Sequence, residues 1–337
     1  METLRVTLKP QTAFATPLHG DTLFGQLCWI LRNNLGELGE DWLNELLTGY
    51  TQGNPFLVVS DIFPAGFIPR PQLPSGFFPG QEEKIEGRDR KADKKRTWMP
   101  WKACEEPLPA WITTCKSDKE IWPADPETVK SGKSHMAGRV VQPQPRNAIN
   151  RLTGTTGADG FAPYAVEQTW FPPTARLELW LLFDPKRLPR EDLAKALFAV
   201  GQTGFGKDAN VGLGKFLVED VGVASLPTQK ESNAWLTLGF CAPQGGGFNP
   251  ERSFYQVFTR FGRHGDVAAL TGQVYKNPIL LARAGAVLVP ADPFDPGRRF
   301  VGQGLGGDNS LSSAIPGTVH QGYCPVVGIR LLEENRS

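Results

Sequence analysis

Apolar and polar positions alternate at the start of the chain. Leu4, Val6 and Leu8 stand against Arg5 and Thr7, a period of two that predicts a first strand over 4–8. After the loop PQTAFATPLHG the period lengthens. Leu23, Leu27, Ile30 and Leu31 fall on one face of a helix predicted over 22–32, with Asp21 placed as its N-cap. A short helix over 41–47 and a strand over 56–62 follow, and then prolines at 64, 69, 71, 74 and 79 rule out regular structure for about fifteen residues. Strands are predicted over 161–170 and 175–183. Leu193, Ala196, Leu197 and Val200 define a helix over 190–200, and a strand over 215–223 follows a glycine-rich loop. From about Ser225 the pattern begins again: a strand at 234–241, a strand or short helix at 254–261, strand–turn–strand at 278–290, a glycine cluster at 301–307 and a closing strand at 325–332.

Between 81 and 144 there is little periodicity, so that stretch reads as an insertion. Without it the first half runs β-α-β-β-α-loop-β, a split βαβ unit whose sheet rests one face on two helices and leaves the other free for a ligand. The predicted fold is therefore α+β: two ferredoxin-like (RRM-like) domains, 1–224 and 225–337, the second degenerate, with a large basic insertion in the first.

Composition narrows this picture. With 40% hydrophobic and 21% charged residues the 337-residue chain should bury a substantial core, and Gly 37 with Pro 29 favours turns and long loops. The net charge of +1 means that any nucleic-acid surface must be local. Five scattered cysteines without a CxxC pair and four histidines suit a reduced, cytoplasmic chain with no metal site and no cofactor. The opening METLRVTLKP is a strand pattern, not a signal peptide, and no apolar run approaches membrane-spanning length.

The candidate chemistry centres on Gly201–Phe216, GQTGFGKDANVGLGKF. Two glycine pairs, Gly204/Gly206 and Gly212/Gly214, each bracket an apolar residue, Phe205 or Leu213, which can anchor inward while amides point out; Lys207, Asn210 and Lys215 add donors. A dinucleotide fingerprint is excluded, because here helix precedes loop and strand follows it. Ser131-Gly132-Lys133-Ser134 is not a phosphate loop, since position 127 is Glu. Arg88–Arg96 (RDRKADKKR), with Arg88, Arg90, Lys91, Lys94, Lys95 and Arg96, leads into Trp98 and Trp101; it reads either as a solvated loop or as an arm laid along RNA with the tryptophans stacking on bases. Arg146, Asn147, Asn150 and Arg151 suit phosphate and base-edge contacts from an extended segment or hairpin, and equally suit a bland surface hairpin.

Four stretches then point one way in the right order: LHGDTLFGQLCW (18–29), RNAINR with TGT (146–155), GFGKDANVGLGKF (204–216) and HQGYCPVVGI (320–329). Together they resemble the RAMP superfamily of CRISPR-associated RNA-binding proteins, and within it the handle-capping subunit of type III-A (Csm) interference complexes. The resemblance implies a non-catalytic subunit that grips the 5′ handle of CRISPR RNA and docks the large polymerase-domain subunit and a backbone subunit. It also implies a thumb-like insertion at the start of the guide–target duplex, so that target RNA is met indirectly. His19, the basic run, the 146–151 residues and the glycine loop become the expected RNA contacts. Relatives that cut RNA place an aspartate or a histidine near Asp21 and His19; against catalysis, Asp21 fits a helix cap and His19 has no evident partner acid. The alternatives are a crRNA-processing endoribonuclease and the equivalent subunit of a type III-B complex.

Overall fold

The computed structural model describes residues 1–34, 39–74, 77, 90–123, 138–157, 161–265, 269–270, 272 and 274–331. Alternation at the N-terminus produces β1 (Glu2–Pro10), in which Leu4, Val6 and Leu8 are buried. The chain continues through α1 (Gly20–Asn34), α2 (Gly39–Leu47), β2 (Leu57–Val59), β3 (Phe63–Pro64) and β4 (Phe67–Pro69). After α3 (Arg90–Lys95), β5 (Trp98–Pro100), α4 (Leu108–Thr114) and α5 (Asp118–Ile121) comes a long hairpin, β6 (Val140–Arg146) and β7 (Tyr164–Trp170). Then β8 (Leu177–Phe183), α6 (Arg190–Thr203) and β9 (Phe216–Val223) complete the first sheet.

Its strands lie in the order β2-β8-β1-β9, all antiparallel, with α1 and α6 as the two crossovers. Leu4, Val6, Leu8, Leu179 and Leu181 meet Leu23, Leu27, Leu193 and Leu197 in the first core. The sheet's other face is not free, contrary to expectation: Trp180 points into a second core with Trp235, Leu236 and Phe63.

That second core also corrects the insertion. Within 81–144 the segment 98–122 is not a free arm, while 140–144 belong to the exposed first strand of the β6–β7 hairpin. β5 pairs with β4, Ile68 opposite Met99, and Met99, Cys104, Leu108 and Trp111 are buried against the C-terminal half. Trp98 and Trp101 are not free stacking platforms either. The Trp98 indole N–H donates to Asp118 Oδ1 at 2.7 Å and its ring meets Phe63 edge-on, while Trp101 packs against the second core. The missing periodicity reflects short elements that borrow their partners from distant sequence.

The C-terminal half holds β10 (Ala234–Thr237), β11 (Val257–Arg260), β12 (Ile279–Ala282), β13 (Val287–Leu288), β14 (Phe300–Gly306) and β15 (Val319–Ile329). The C-terminal half contributes no α-helix of its own among the described residues; its β13-β10-β15-β14 sheet packs instead on elements of the first half, such as α4, so a second ferredoxin-like unit with its own helices is not what forms. The glycine cluster at 301–307 is strand β14, not a loop, and β15 starts six residues before the predicted position. A glycine-rich strand fits because β14 crosses the Tyr50 turn closely.

β15 also ties the halves together. The Gln321 side chain exchanges two hydrogen bonds with the main chain of Val59, at 2.8 and 2.9 Å, and the Tyr323 hydroxyl donates to Tyr50 O at 2.7 Å. Beneath it, Asp21 does not cap α1; Asp61 does, accepting the Gly20 N–H at 2.7 Å. Asp21 instead holds Arg260 with both oxygens, Oδ2 at 2.7 Å and Oδ1 at 3.0 Å, and has His320 Nε2 3.2 Å from Oδ2.

One buried carboxylate opposes the fold. Burial pushes the Glu178 carboxyl above its ordinary value, more than the Gly66 N–H and Arg5 pull it down. Its folded pKa is raised, so the fold favours the neutral acid. That contribution is full below the unfolded value of about 4.3 and is lost as pH rises through the folded one. Glu178→Gln is expected to gain stability over the native chain at pH 8 but not at pH 4. Thermal melts at the two pH values check this, and equal differences would refute it.

Candidate nucleic-acid interface

The glycine loop is built as two crossing segments. α6 ends where the Gly204 N–H reaches Val200 O at 2.8 Å, and the chain then passes so close to residues 213–214 that the Phe205 N–H donates to Gly214 O at 2.9 Å. A Cβ on Gly204 would stand 2.2 Å from Leu213 O, and one on Gly214 would stand 2.2 Å from Phe205 O. Phe205 is fully buried, so its ring cannot be an RNA contact, and Leu213 is half-buried.

The amides at the pairs do not point outward, which corrects the expected cradle. Gly206 N–H donates to Gln26 Oε1, Lys207 N–H to Thr16 Oγ1, Gly214 N–H to Ala13 O and Lys215 N–H to Thr12 Oγ1, at 3.1, 2.7, 2.7 and 2.9 Å. The glycines exist for close backbone approach. What the loop offers solvent is its tip, where Lys207 and Asn210 are exposed, together with the half-buried Lys215. Gln26 is the clamp sequence reasoning missed: its amide also donates to Gly204 O at 3.1 Å, holding the loop to α1.

The hairpin meets the loop at the far end of its strands, where Arg146 closes β6. Arg146 is paired with Asp208 at 2.9 Å, so it braces the loop instead of lying free. Asp208 has φ 63°, a left-handed conformation uncommon for a residue with a side chain. Asn150 Oδ1 caps the distal turn through the Leu152 N–H at 2.9 Å, leaving Asn147 and Arg151 exposed.

The basic run is divided. Arg88 lies outside the described residues, and Arg90 and Lys91 open α3. Lys94 and Lys95 are exposed, whereas Arg96 is committed to Glu120 by hydrogen bonds of 2.7 and 3.1 Å. That pairing draws the Glu120 carboxyl down to about 2.

Next to the loop, sharing Thr16 with it, opens a cavity of 580 Å³ lined by both halves and by the insertion. His19 lines it, and it has a partner acid after all: Nδ1 is 3.3 Å from Asp61 Oδ2. Lys94 and Arg96 from the basic run reach it, joined by Arg70, Arg139 and Arg283. No sequence signal marked those three, since each stands alone among prolines or turns. Of the cysteines, all free, Cys115 is pushed up to about 11 and Cys28 and Cys241 to about 12 by burial, so none is a ready nucleophile. No cluster of metal-ligating side chains and no helix long and apolar enough to cross a membrane occurs among the described residues.

The sequence model of the RAMP superfamily matches residues 15–217, the span holding α1, the hairpin and the whole glycine loop. The chain belongs to the RAMP superfamily. Solved structures similar to this RAMP chain include a Csm1–Csm4 cassette in complex with pppApA, at TM-score 0.59 and 16% identity over 99% of this chain and 100% of that one. A second cassette, with cA4, gives 0.58 and 16% over the same shares. A Csm3–Csm4 subcomplex of the type III-A CRISPR–Cas interference complex gives 0.51 and 15%, covering 95% and 99%. No curated protein matches the sequence. At these identities the likeness is one of fold, and it makes this a RAMP chain resembling the Csm4 type of type III-A subunit. Within it the first-helix and closing-strand stretches serve each other: Asp21 of one meets His320 of the other.

Proposed function

We propose that this RAMP chain is a non-catalytic RNA-binding subunit of a type III-A CRISPR effector complex. In this reading it grips the 5′ handle of crRNA and docks the large polymerase-domain subunit and the backbone subunit. The strand order β2-β8-β1-β9 with two crossover helices, which is that of a ferredoxin-like unit, supports it. So does the naming of Csm1 and Csm3 beside Csm4 in similar assemblies. The observation that carries it is the continuous frame made of α1, the loop and the end of β6, through Gln26 and the Arg146–Asp208 pair. That frame presents Lys207, Asn210, Asn147 and Arg151 to solvent. The RNA contacts are then side chains on this frame, with thumb-like reach supplied by the β6–β7 hairpin, whose first strand closes the 81–144 stretch.

Such contacts are with phosphates, so binding falls steeply with salt. Titrating repeat-derived RNA into the purified chain at several salt concentrations tests this. Arg151→Ala and Lys207→Ala are each expected to lower the slope of log affinity against log salt by about 1. Unchanged slopes in both variants would remove the reading. A nuclease reading draws on the His19–Asp61 pair, which could orient a general base. Under the proposal, repeat RNA incubated with the native chain stays intact; cleavage abolished by His19→Ala would replace it.

A further inference from the structure

The cavity beside the glycine loop has the dimensions of a small-molecule site: 580 Å³ falls within the usual range for such pockets. Its charge is one-sided, five cationic side chains against the carboxylates of Asp61 and Asp118. Most of these are already committed. Asp118 is taken by Arg139, Asp61 by His19 and the Gly20 N–H, and Arg96 by Glu120. Arg70 donates to the carbonyls of Asp93 and Arg96, fixing the end of α3. Lys94 and Arg283 remain as exposed cations on the rim. Arg283 is held in place by its guanidinium, 4.5 Å from the ring centre of Phe258, which stacks on Phe240 at 4.9 Å. His19 continues that ladder, 4.4 Å from Phe240.

The lining is also aromatic. Phe171 lies half-buried with its ring fixed edge-on by Phe14 at 5.9 Å and by Trp122 at 5.3 Å. Arg139 lies over one face of that ring, 6.0 Å from its centre, so a flat ligand would stack on the other face or on the guanidinium, against a ring that costs little to order. Exposed cations, an immobilised aromatic ring and an imidazole in one lining suit a ligand that is anionic at one end and flat at the other. A divalent cation finds too few free carboxylates here, and a wholly apolar ligand would strand the cations.

We propose that this cavity holds one nucleotide unit, its base on Phe171 and its phosphate against Lys94 and Arg283. Two sources share that chemistry, a free nucleotide and the terminal nucleotide of an RNA. Only the second rests on the RNA-binding reading above. Because all three parts of the chain line the cavity, the site exists only in the assembled fold.

Isothermal titration of the full chain with AMP, with adenosine, and with an oligoribonucleotide bearing or lacking a 5′ phosphate tests the assignment. AMP is expected to bind and adenosine to bind more weakly. Phe171→Leu, Lys94→Glu and Arg283→Ala are each expected to weaken AMP by roughly fivefold or more, the lower end of a stacking or charge contact. Lys94 is exposed on α3, so its variant should fold normally, and Lys195→Ala, a distant charge removal, is expected to change nothing. Parallel losses for AMP and the 5′-phosphorylated oligonucleotide assign the site to an RNA end; losses confined to AMP assign it to a free nucleotide. Native-like binding by all three variants, or no AMP or 5′-phosphate dependence in the native chain, overturns the inference. If Arg151→Ala still weakens the oligonucleotide in that case, the handle-binding reading stands without it.

Discussion

Asp21→Asn is expected to destabilise the folded chain by about 3–5 kcal/mol, the cost of removing one partner from a buried ion pair. Asp21 is 7% exposed and faces Arg260 with both oxygens, with His320 beside it. Arg260 also donates to the Thr22 hydroxyl at 2.6 Å, so the guanidinium is fixed by α1 alone. An asparagine would turn an N–H toward a cation and leave that cation buried without a counter-charge. The measurement is urea unfolding, read as a lower midpoint at unchanged slope. Asp21→Asn combined with Arg260→Met should recover part of the loss, because the orphaned charge goes with its partner. A loss under about 1 kcal/mol would mean the pair does not join the halves.

The same cluster fixes the behaviour in acid. Burial alone would raise the Asp21 carboxyl, but the hydrogen bond and charge of His320 and the charge of Arg260 outweigh it and hold the carboxyl far below the usual range. A depressed carboxylate contributes in full above its unfolded pKa of about 3.9 and loses that contribution as pH falls toward the folded value. His320 is pushed below its ordinary value by burial, against the pull of Asp21. The unfolded chain therefore takes up that proton first, below about 6.5. Both groups make stability fall with acid. Native and Asp21→Asn unfolding midpoints should converge at the lowest pH values and separate fully near neutrality.

What could be read in advance follows a physical line. β1, α1, β8, α6 and β9 were legible because each buries a face whose period is its own: Leu4, Val6 and Leu8, or Leu193, Ala196, Leu197 and Val200. Asp21 was misjudged because its position fits a cap, and only the folded chain brings Arg260 and His320 to it from more than two hundred residues away. The cavity was invisible for the same reason. Arg70, Arg139 and Arg283 sit in unrelated local contexts, and only Lys94, Arg96 and His19 stood among the candidate residues. The glycine loop was recognised but its use inverted. Spacing alone cannot distinguish glycines that free amides for a ligand from glycines that let two segments of the chain cross.

That distinction gives the second large effect. Gly214→Ala is expected to cost about 3 kcal/mol or more, and Gly204→Ala a similar amount. Gly214 has φ 73°, and its added methyl would fall 2.2 Å from Phe205 O and 2.5 Å from Phe205 N, main-chain atoms that cannot swing aside. The left-handed backbone accounts for roughly 1–2 kcal/mol and the forced separation of the two segments for about 1–3 more. Gly212 is the internal control. Its φ is 93°, yet nothing stands within 4 Å of an added Cβ, so Gly212→Ala should lose only the backbone part. Gln26→Leu, which removes the clamp on Gly204 O and the Gly206 N–H, should loosen the loop while leaving its crossing intact. Chemical unfolding separates the glycine variants, and RNA titration shows what the frame is for. Gly212→Ala should bind as the native chain does, whereas Gly204→Ala and Gly214→Ala should lose affinity as the Arg146–Asp208 brace and the exposed Lys207 move with the broken crossing. Equal losses of stability at positions 204, 212 and 214 would show that backbone conformation alone, and not the close passage of the two segments, holds this loop.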